Sequence, residues 1–188
     1  MARTLEIVLP DWLDDRLPAD AQVDGDHAKM RLVLELAREN VRRRTGGPFA
    51  AAVFERESGR LIGAGVNIVV PAGSSVLHAE IVAFLAAQRA LGRYTLGATD
   101  LPEHELVTSC EPCAMCLGAT LWSGVRRVLA GAVRDDALAL QFDEGPVFAA
   151  SYAYLEARGI QFVSGVLREE AREVLAAYRE AGGEVYNG

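Results

Sequence analysis

Apolar positions along the chain recur with two different periods, which predict helices interleaved with strands. In residues 28–44 they recur every three or four positions, as on one face of a helix, and the basic residues near the end complement the helix dipole. A second, buried helix is predicted over residues 78–91 and ends at Gly92. Further helices are predicted over residues 112–122, with Pro112 as first residue, and over residues 147–158 and 169–181.

Short apolar and β-branched runs between these helices predict five strands. The first two, residues 49–55 and 61–69, flank Ser58-Gly59, which suits a tight reversal. The other three are predicted over residues 105–110, 125–133 and 160–163. Strands that alternate with helices after an opening hairpin predict an α/β fold, a three-layer α/β/α sandwich with a central mixed sheet of about five strands.

The first 27 residues differ in composition from the rest. They contain prolines and six aspartates, so we expect an N-terminal extension of extended chain or short turns rather than core. Residues 28–188 are then a single domain that includes the C-terminal helix and tail, in keeping with the length of 188 residues. His27 and His104 stand beside acidic residues and are predicted to lie at the surface.

Charge and hydropathy narrow the possible partners. No apolar run is long enough to span a bilayer as a helix, and residues 1–9 do not resemble a secretory signal, so we expect a cytoplasmic protein without membrane contacts. The formal net charge is -7, from 19 basic and 26 acidic residues, which would repel nucleic acid unless a local basic patch overcame it. A small neutral substrate is therefore favoured.

Two short motifs, each at the start of a predicted helix, contain the candidate chemistry. Cys113 and Cys116 are three positions apart, so on a helix they share a face and can hold one metal ion with His78 as a third ligand. Three ligands leave zinc an open position, where water loses a proton near neutral pH. We predict that Glu80, two residues after His78, is a proton carrier and not a ligand.

A closed structural zinc site is the alternative at this point. It would use Cys110 as a fourth ligand, stabilise the fold and catalyse nothing. Cys110 ends an apolar strand, where a buried cysteine is common without any chemical role. The alternatives differ in outcome, because only the structural site predicts zinc loss in Cys110→Ala and no effect of Glu80→Gln.

The pattern H-x-E followed by P-C-x-x-C is the signature of zinc nucleobase deaminases. The segment Thr108-Ser109-Cys110-Glu111-Pro112-Cys113-Ala114-Met115-Cys116-Leu117-Gly118-Ala119, with His78-Ala79-Glu80, resembles the cytidine deaminase-like superfamily and, within it, the bacterial guanine deaminases. The likeness covers about residues 48–133 and returns at residues 142–145. The resemblance implies a cytidine deaminase-like fold, one Zn²⁺ per subunit, a homodimer and conversion of guanine to xanthine plus ammonia.

The same resemblance implies further site residues. Glu144 would be a second carboxylate that moves protons or binds the amine, and Asn67 would hydrogen-bond the heterocycle. From the residues alone, Asn67 could equally mark a strand bend, and Glu144 could belong to a solvated loop. Tyr186 belongs to a tail that, by the resemblance, closes over the active site of its own chain or, by exchange, of the partner. The remaining substrate-binding candidates are Phe49, Ala79, Phe142, Asp143 and Trp122, of which the aromatic ones could stack on a flat substrate or pack in the core.

Two other deaminase functions remain open from the sequence. A tRNA adenosine deaminase would share the zinc residues, but its usual basic C-terminal helix is absent, since residues 168–188 contain three arginines against five glutamates. A deaminase of another amino-heterocycle, such as an amino-triazine, would differ only in the substrate pocket. The sequence therefore predicts a zinc-dependent hydrolytic deaminase of a free nucleobase or related amino-heterocycle, and the resemblance implies guanine as the substrate.

Overall fold

A five-stranded mixed sheet forms the centre of the protein in a computed structural model, which describes residues 6–17 and 21–186. The strands are β1 Ala50–Glu55, β2 Leu61–Val66, β3 His104–Cys110, β4 Arg127–Ala132 and β5 Gln161–Val163, in the spatial order β2-β1-β3-β4-β5. Strand β1 is antiparallel to both of its neighbours, whereas β3, β4 and β5 are parallel to one another. The predicted mixed sheet is confirmed.

Eight helices occur within the described residues. They are α1 Trp12–Arg16, α2 Asp26–Arg43, α3 Val69–Ala72, α4 Ala79–Leu91, α5 Ala114–Ser123, α6 Arg134–Leu138, α7 Ala149–Ala157 and α8 Arg168–Glu180. The five long ones were predicted to within two residues at each end. The short α1, α3 and α6 were not predicted, because one turn of helix is too short to show a periodic pattern. Pro112 was predicted to be the first residue of α5. It instead precedes Cys113, the N-cap residue of that helix.

Side chains of the strands alternate between two hydrophobic cores, one on each face of the sheet. Ala52 and Phe54 of β1 pack in the core formed with α2 and α8. Ala51 and Val53 point to the other core, which contains buried residues of α4, α5 and α7. This alternation is the strand period of two, and it gives the three-layer α/β/α arrangement. No helix within residues 6–17 and 21–186 is long and apolar enough to cross a membrane.

The segment before α2 contributes to the core, so the expectation of an extension without core residues is wrong for the part that is described. Trp12 and Leu13 are 7% and 1% exposed and pack in the core beside α2. Two main-chain hydrogen bonds join the segment to the β1–β2 hairpin: Val23 N donates to the Gly59 carbonyl, and Leu61 N donates to the Ala21 carbonyl. Trp12 and Leu13 are a short apolar pair among many aspartates, so the overall composition of the segment does not indicate their burial. Residues 1–5 and 18–20 of the extension, and 187–188 of the tail, lie outside the described residues.

Glu39 links α1 to α2. Its carboxylate is buried and accepts hydrogen bonds from Arg42 and Arg43, and Arg16 of α1 lies 3.3 Å away. The hydrogen bonds from Arg42 and Arg43 lower the pKa of Glu39 to about 2. The N-terminal helix is thus attached by charge as well as by apolar packing.

The first two residues of β3 are buried polar groups. His104 is fully enclosed, contrary to the predicted surface position, and its Nδ1 lies 2.9 Å from the Leu96 carbonyl oxygen. Glu105 accepts hydrogen bonds from Lys29 Nζ at 2.6 Å and from Arg127 Nη1 at 2.8 Å. Acidic neighbours in the sequence therefore gave a wrong prediction for His104, because the segment around Leu96 covers this end of the strand.

Candidate active site

Three potential metal ligands meet where two helices begin. His78 and Cys113 are the N-cap residues of α4 and α5, and Cys116 lies in the first turn of α5. One ligand atom of each residue falls within 4.8 Å of the others, and His78 Nδ1 is 3.5 Å from Cys113 Sγ. Tetrahedral zinc with ordinary Zn–N and Zn–S bonds would hold its nitrogen and sulfur ligands about 3.5 Å apart. The donor set and its spacing therefore fit zinc.

Glu80 and Cys110 stand outside this group of ligands. Glu80 is buried, and its Oε2 accepts a hydrogen bond from Cys116 Sγ at 3.4 Å. Burial, and then the negative charge of Cys113, raise the pKa of Glu80. The Cys110 thiol points to the Val133 carbonyl oxygen at 4.0 Å, and burial raises its pKa well above the usual value. The closed structural site depends on Cys110 as a fourth ligand, and Cys110 does not belong to this group of ligands.

The two ligand thiols differ in their preference for the charged form. The neighbouring Cys116 thiol and then His78 lower the pKa of Cys113 to about 4, against the effect of burial. The neighbouring Cys113 sulfur and burial raise the pKa of Cys116 well above the usual value. Burial lowers the pKa of His78, but the hydrogen bond to Cys113 and the negative charge of Glu80 outweigh it, so that the net shift is upward. The pair of cysteines therefore presents one ready thiolate to a cation.

A cavity beside the three ligands brings together most of the residues predicted for the substrate. Its lining consists of Phe49, Asn67, His78, Glu80, Cys110, Glu111, Cys113, Phe142, Asp143, Glu144 and Tyr186. Seven of these are predicted substrate or proton-transfer residues, and they come from five separate places along the chain. The fold therefore gathers the predicted set around one space.

Glu144 is held in the cavity by its main chain. Its carbonyl oxygen accepts a hydrogen bond from Ala114 N at 2.9 Å, and the next carbonyl, that of Gly145, accepts one from Arg134 Nη2 at 3.1 Å. Burial and the negative charge of Cys113 raise the pKa of the Glu144 carboxyl to about 8. A carboxyl group with such a pKa can gain or lose a proton near neutral pH, as an acid–base residue must.

Asn67 follows β2 directly and combines the two roles that the sequence left open. Its Oδ1 accepts a hydrogen bond from Val69 N at 3.2 Å, and its main-chain N donates to the Phe49 carbonyl at 2.9 Å, as expected at a bend. The Nδ2 atom is buried without a hydrogen-bond partner among the described residues. The Asn67 side chain stands close enough to the Tyr186 hydroxyl to lower the pKa of that group, but the two make no hydrogen bond of good geometry. Because a buried amide donor is normally satisfied, a ligand in the cavity can become the partner of Nδ2.

The C-terminal tail reaches the cavity of its own chain. Tyr178 Oη donates to the Glu184 carbonyl at 2.6 Å, which fixes the tail against α8. The ring of Tyr186 then packs edge-on against Phe142 at 5.3 Å, and Phe142 packs against Phe49 at 5.1 Å. The Tyr186 hydroxyl is buried without a hydrogen bond of good geometry, and burial raises its pKa. Aromatic side chains thus form one wall of the cavity.

Two predicted substrate residues do not line the cavity, and two unpredicted ones do. Trp122 is 81% exposed on α5, and Ala79 is buried in the core of α4. The structure therefore does not support a stacking role for Trp122 within one chain. Trp122 follows Cys113 by nine positions, or two and a half helical turns, and this spacing alone indicates that the two residues lie on opposite faces of α5. Cys110 was considered only as an alternative zinc ligand and Glu111 was not singled out, although polar residues at the carboxyl end of a strand that pairs in parallel are frequent cavity residues.

Comparisons with known proteins agree with the motif and the geometry. Residues 24–132, which include all three ligands and Glu80, match the family model of the cytidine and deoxycytidylate deaminase zinc-binding region. The chain is 47% identical to the guanine deaminase of Nitrosomonas europaea, with a TM-score of 0.92 over 96% of this chain and 98% of that one. A structure solved in complex with 2,6-diaminopurine is 48% identical, with a TM-score of 0.93 over 100% of this chain and 98% of that one.

Curated relatives extend the same picture. The guanine deaminase of Bacillus subtilis is 34% identical over 140 residues, which are 74% of this chain and 85% of that protein. The tRNA-specific adenosine deaminase of Haemophilus influenzae is more distant, 29% identical over 160 residues, or 85% of this chain and 86% of that protein. The chain therefore belongs to the cytidine and deoxycytidylate deaminase family of zinc-binding deaminases.

Proposed function

We propose that this protein is a zinc-dependent hydrolytic deaminase that converts guanine and water to xanthine and ammonia, with one zinc ion per subunit. The observation that carries the proposal is a cavity in which two buried carboxyl groups, Glu80 and Glu144, stand beside the three zinc-compatible ligands. Nearly full-length similarity to a guanine deaminase supports guanine as the substrate.

The proton transfers fall to Glu80. His78, Cys113 and Cys116 would hold the zinc ion, which would supply the Lewis acidity that makes water a nucleophile near neutral pH. Glu80 takes a proton from the attacking water and gives it to the ring nitrogen next to the carbon that carries the amine. A second proton passes to the amine, which leaves as ammonia, while the oxygen of water stays in xanthine. The raised pKa of Glu80 favours its protonated form, which suits a group that holds the proton between these two transfers.

The remaining lining suits a planar heterocycle. Phe49, Phe142 and Tyr186 provide aromatic surface, and Asn67 Nδ2 provides a hydrogen-bond donor for an acceptor on the ring. We propose that Glu144 binds the exocyclic amine or moves its protons. Asp143 precedes it in the same loop. A tail that packs onto the cavity favours a free base over a base that belongs to a folded RNA.

Charge disfavours the tRNA adenosine deaminase alternative. The net charge is -7, and two arginines of the C-terminal helix, Arg168 and Arg172, pair with Asp136 at 2.9 and 3.4 Å. Arginines that are already paired contribute little to phosphate binding. Binding of an anticodon stem-loop with an affinity that falls steeply with salt would contradict this argument.

Ammonia release tests the proposal directly. The substrates are guanine, adenine, cytosine, their nucleosides and amino-triazines, each with wild type and with Glu80→Gln. We expect guanine to react fastest, and Glu80→Gln to keep zinc while the rate falls by about 10²- to 10⁴-fold. Absence of release from guanine would remove the substrate assignment, faster release from an amino-triazine would replace it, and an undiminished rate in Glu80→Gln would remove the mechanism.

The proposed assembly is a homodimer. Helices α5 and α7 border a groove lined by Leu117, Leu121 and Tyr154, and Trp122 on α5 is largely exposed. Exposed apolar surface of this kind marks interaction sites, and a second copy of the chain would bury it. Sedimentation should give a dimer for wild type and a monomer for Trp122→Glu, and a monomeric wild type would contradict the proposal.

A further inference from the structure

A line of side-chain hydrogen bonds connects helix α1 with the loops that border the cavity. Trp12 Nε1 donates to Thr45 Oγ1 at 3.0 Å, and the Thr45 hydroxyl donates to Asn40 Oδ1 at 2.7 Å. Asn40 Nδ2 donates to the carbonyl oxygens of Gly47 at 2.8 Å and Asn67 at 2.9 Å. Both amide hydrogens and the acceptor of Asn40 are thereby used.

Asn40 is a polar residue on the buried face of α2. It is 0% exposed and lies between Ala37 and Val41, which are core residues. A buried amide that lost its partners would cost on the order of 1–3 kcal/mol, so the side chain has one favourable arrangement. That arrangement joins two loops, one leading into β1 and the other leaving β2.

The two loops approach each other without spare room. A Cβ atom on Gly46 would lie 1.9 Å from the carbonyl oxygen of Asn67, and one on Gly47 would lie 2.0 Å from Tyr186 Oη. The Gly46-Gly47 corner therefore fits between the Asn67 main chain and the tail only because it has no side chains. A displacement of Asn40 must move this corner, Asn67 or both.

We propose that Asn40, oriented by Thr45 and Trp12, is a positioning residue for base binding. It fixes the Asn67 main chain and so orients Asn67 Nδ2, which lines the cavity and makes no hydrogen bond of good geometry there. This inference rests on the proposed role of Asn67 as a ligand of the base. It also gives the N-terminal segment a part in substrate binding, through the donor on Trp12.

Substitutions at Thr45 test the inference with little change in volume. Thr45→Val removes the hydroxyl, and we expect KM to rise about fivefold while kcat changes less than twofold, because the lost orientation weakens binding of ground state and transition state alike. Thr45→Ser keeps the hydroxyl and should restore wild-type KM. Trp12→Phe removes the N–H donor together with part of the buried ring, so it is a less clean test, and it should raise KM by about two- to threefold. Asn40→Asp should raise KM the most. If that variant does not fold, the comparison of Thr45→Val with Thr45→Ser provides the test.

A matched control separates positioning from stability. Ser123 has a buried hydroxyl, where that of Thr45 is partly buried; it donates to the Thr120 carbonyl at 2.9 Å and does not line the cavity. Ser123→Ala should lower the unfolding midpoint as Thr45→Val does, with KM unchanged. Equal KM in Thr45→Val and Thr45→Ser would overturn the inference.

A double-mutant cycle identifies the route through Asn67. In an Asn67→Ala background, Thr45→Val should raise KM no further, because the donor that it orients is gone. A full additional fivefold rise in that background would overturn the proposed route. The kinetics use whichever base the wild type deaminates fastest, so failure with guanine contradicts the proposed function and leaves this test intact.

Discussion

Replacement of Arg134 tests how Glu144 is held in the cavity. Arg134 begins α6, and its Nη2 donates to the Gly145 carbonyl at 3.1 Å. Burial raises the pKa of Glu144 to about 8, and the positive charge of Arg134 acts in the opposite direction. Arg134→Gln therefore removes one support of the loop and one charge that favours the ionised carboxylate. The main-chain N of Arg134, which donates to Glu111 Oε2 at 2.9 Å, keeps its partner in the variant.

The size of the effect follows from the contacts that are lost and kept. A hydrogen bond from a charged donor contributes about 1.5–3 kcal/mol when shielded, but Arg134 is only half-buried, so we take about 1 kcal/mol. The loop keeps the hydrogen bond from Ala114 N to the Glu144 carbonyl. We expect kcat/KM to fall about fivefold and the melting temperature to fall by about 2–4 °C.

The pH profile of kcat/KM distinguishes positioning from a general loss of stability. Loss of the positive charge raises the pKa of Glu144, so the limb that reports its titration should move to higher pH whichever protonation state is active. Arg126→Gln is the matched control, because Arg126 is an exposed arginine just before β4. An Arg134→Gln enzyme with wild-type kcat/KM and pH profile would refute the reasoning, as would the same loss in Arg126→Gln.

Three further predictions concern zinc binding, the stability of the fold and the dependence of that stability on pH. Cys113→Ala should lose zinc and Cys110→Ala should keep it, as measured by metal content; zinc loss in Cys110→Ala would revive the closed structural site. Lys29→Met leaves Glu105 buried with one cationic partner fewer, and we expect urea unfolding to show a loss of about 3 kcal/mol with KM unchanged. The pKa of Glu39 is lowered from 4.5 to about 2 in the folded protein, so its contribution is complete above pH 4.5 and disappears as the pH falls through about 2. The urea midpoint of Glu39→Gln should accordingly vary less with pH in acid than that of wild type, and an equal slope would contradict the assignment.

The metal site was predictable because its geometry is local. Cys113 and Cys116 share one face over a single turn of helix, and Glu80 follows His78 by two residues, so each half of the site has its shape fixed by the chain nearby. Helical periodicity likewise located the five long helices to within two residues. Only the meeting of the two halves needed the sheet, which brings both helix starts to one place.

The surroundings of the metal site depended on packing over long distances in the chain. Trp12 is a core residue because α1 folds against α2, which no local pattern of the aspartate-rich segment indicates. In the sequence, Asn40 is a polar residue on an apolar helix face with no evident partner. Its hydrogen-bond acceptors, the carbonyls of Gly47 and Asn67, come from loops that only the tertiary structure brings to it.

The sequence by itself therefore determined the fold class and the group of three potential metal ligands, and it predicted the proton carrier, since helix and strand periods and single-turn spacing are properties of neighbouring residues. The tertiary structure alone decided which distant side chains enter the cavity: Cys110 and Glu111 line it, and Trp122 does not. The physical reason is that burial of a side chain depends on how whole elements rotate and pack against one another, and that free energy is shared among residues far apart in the chain.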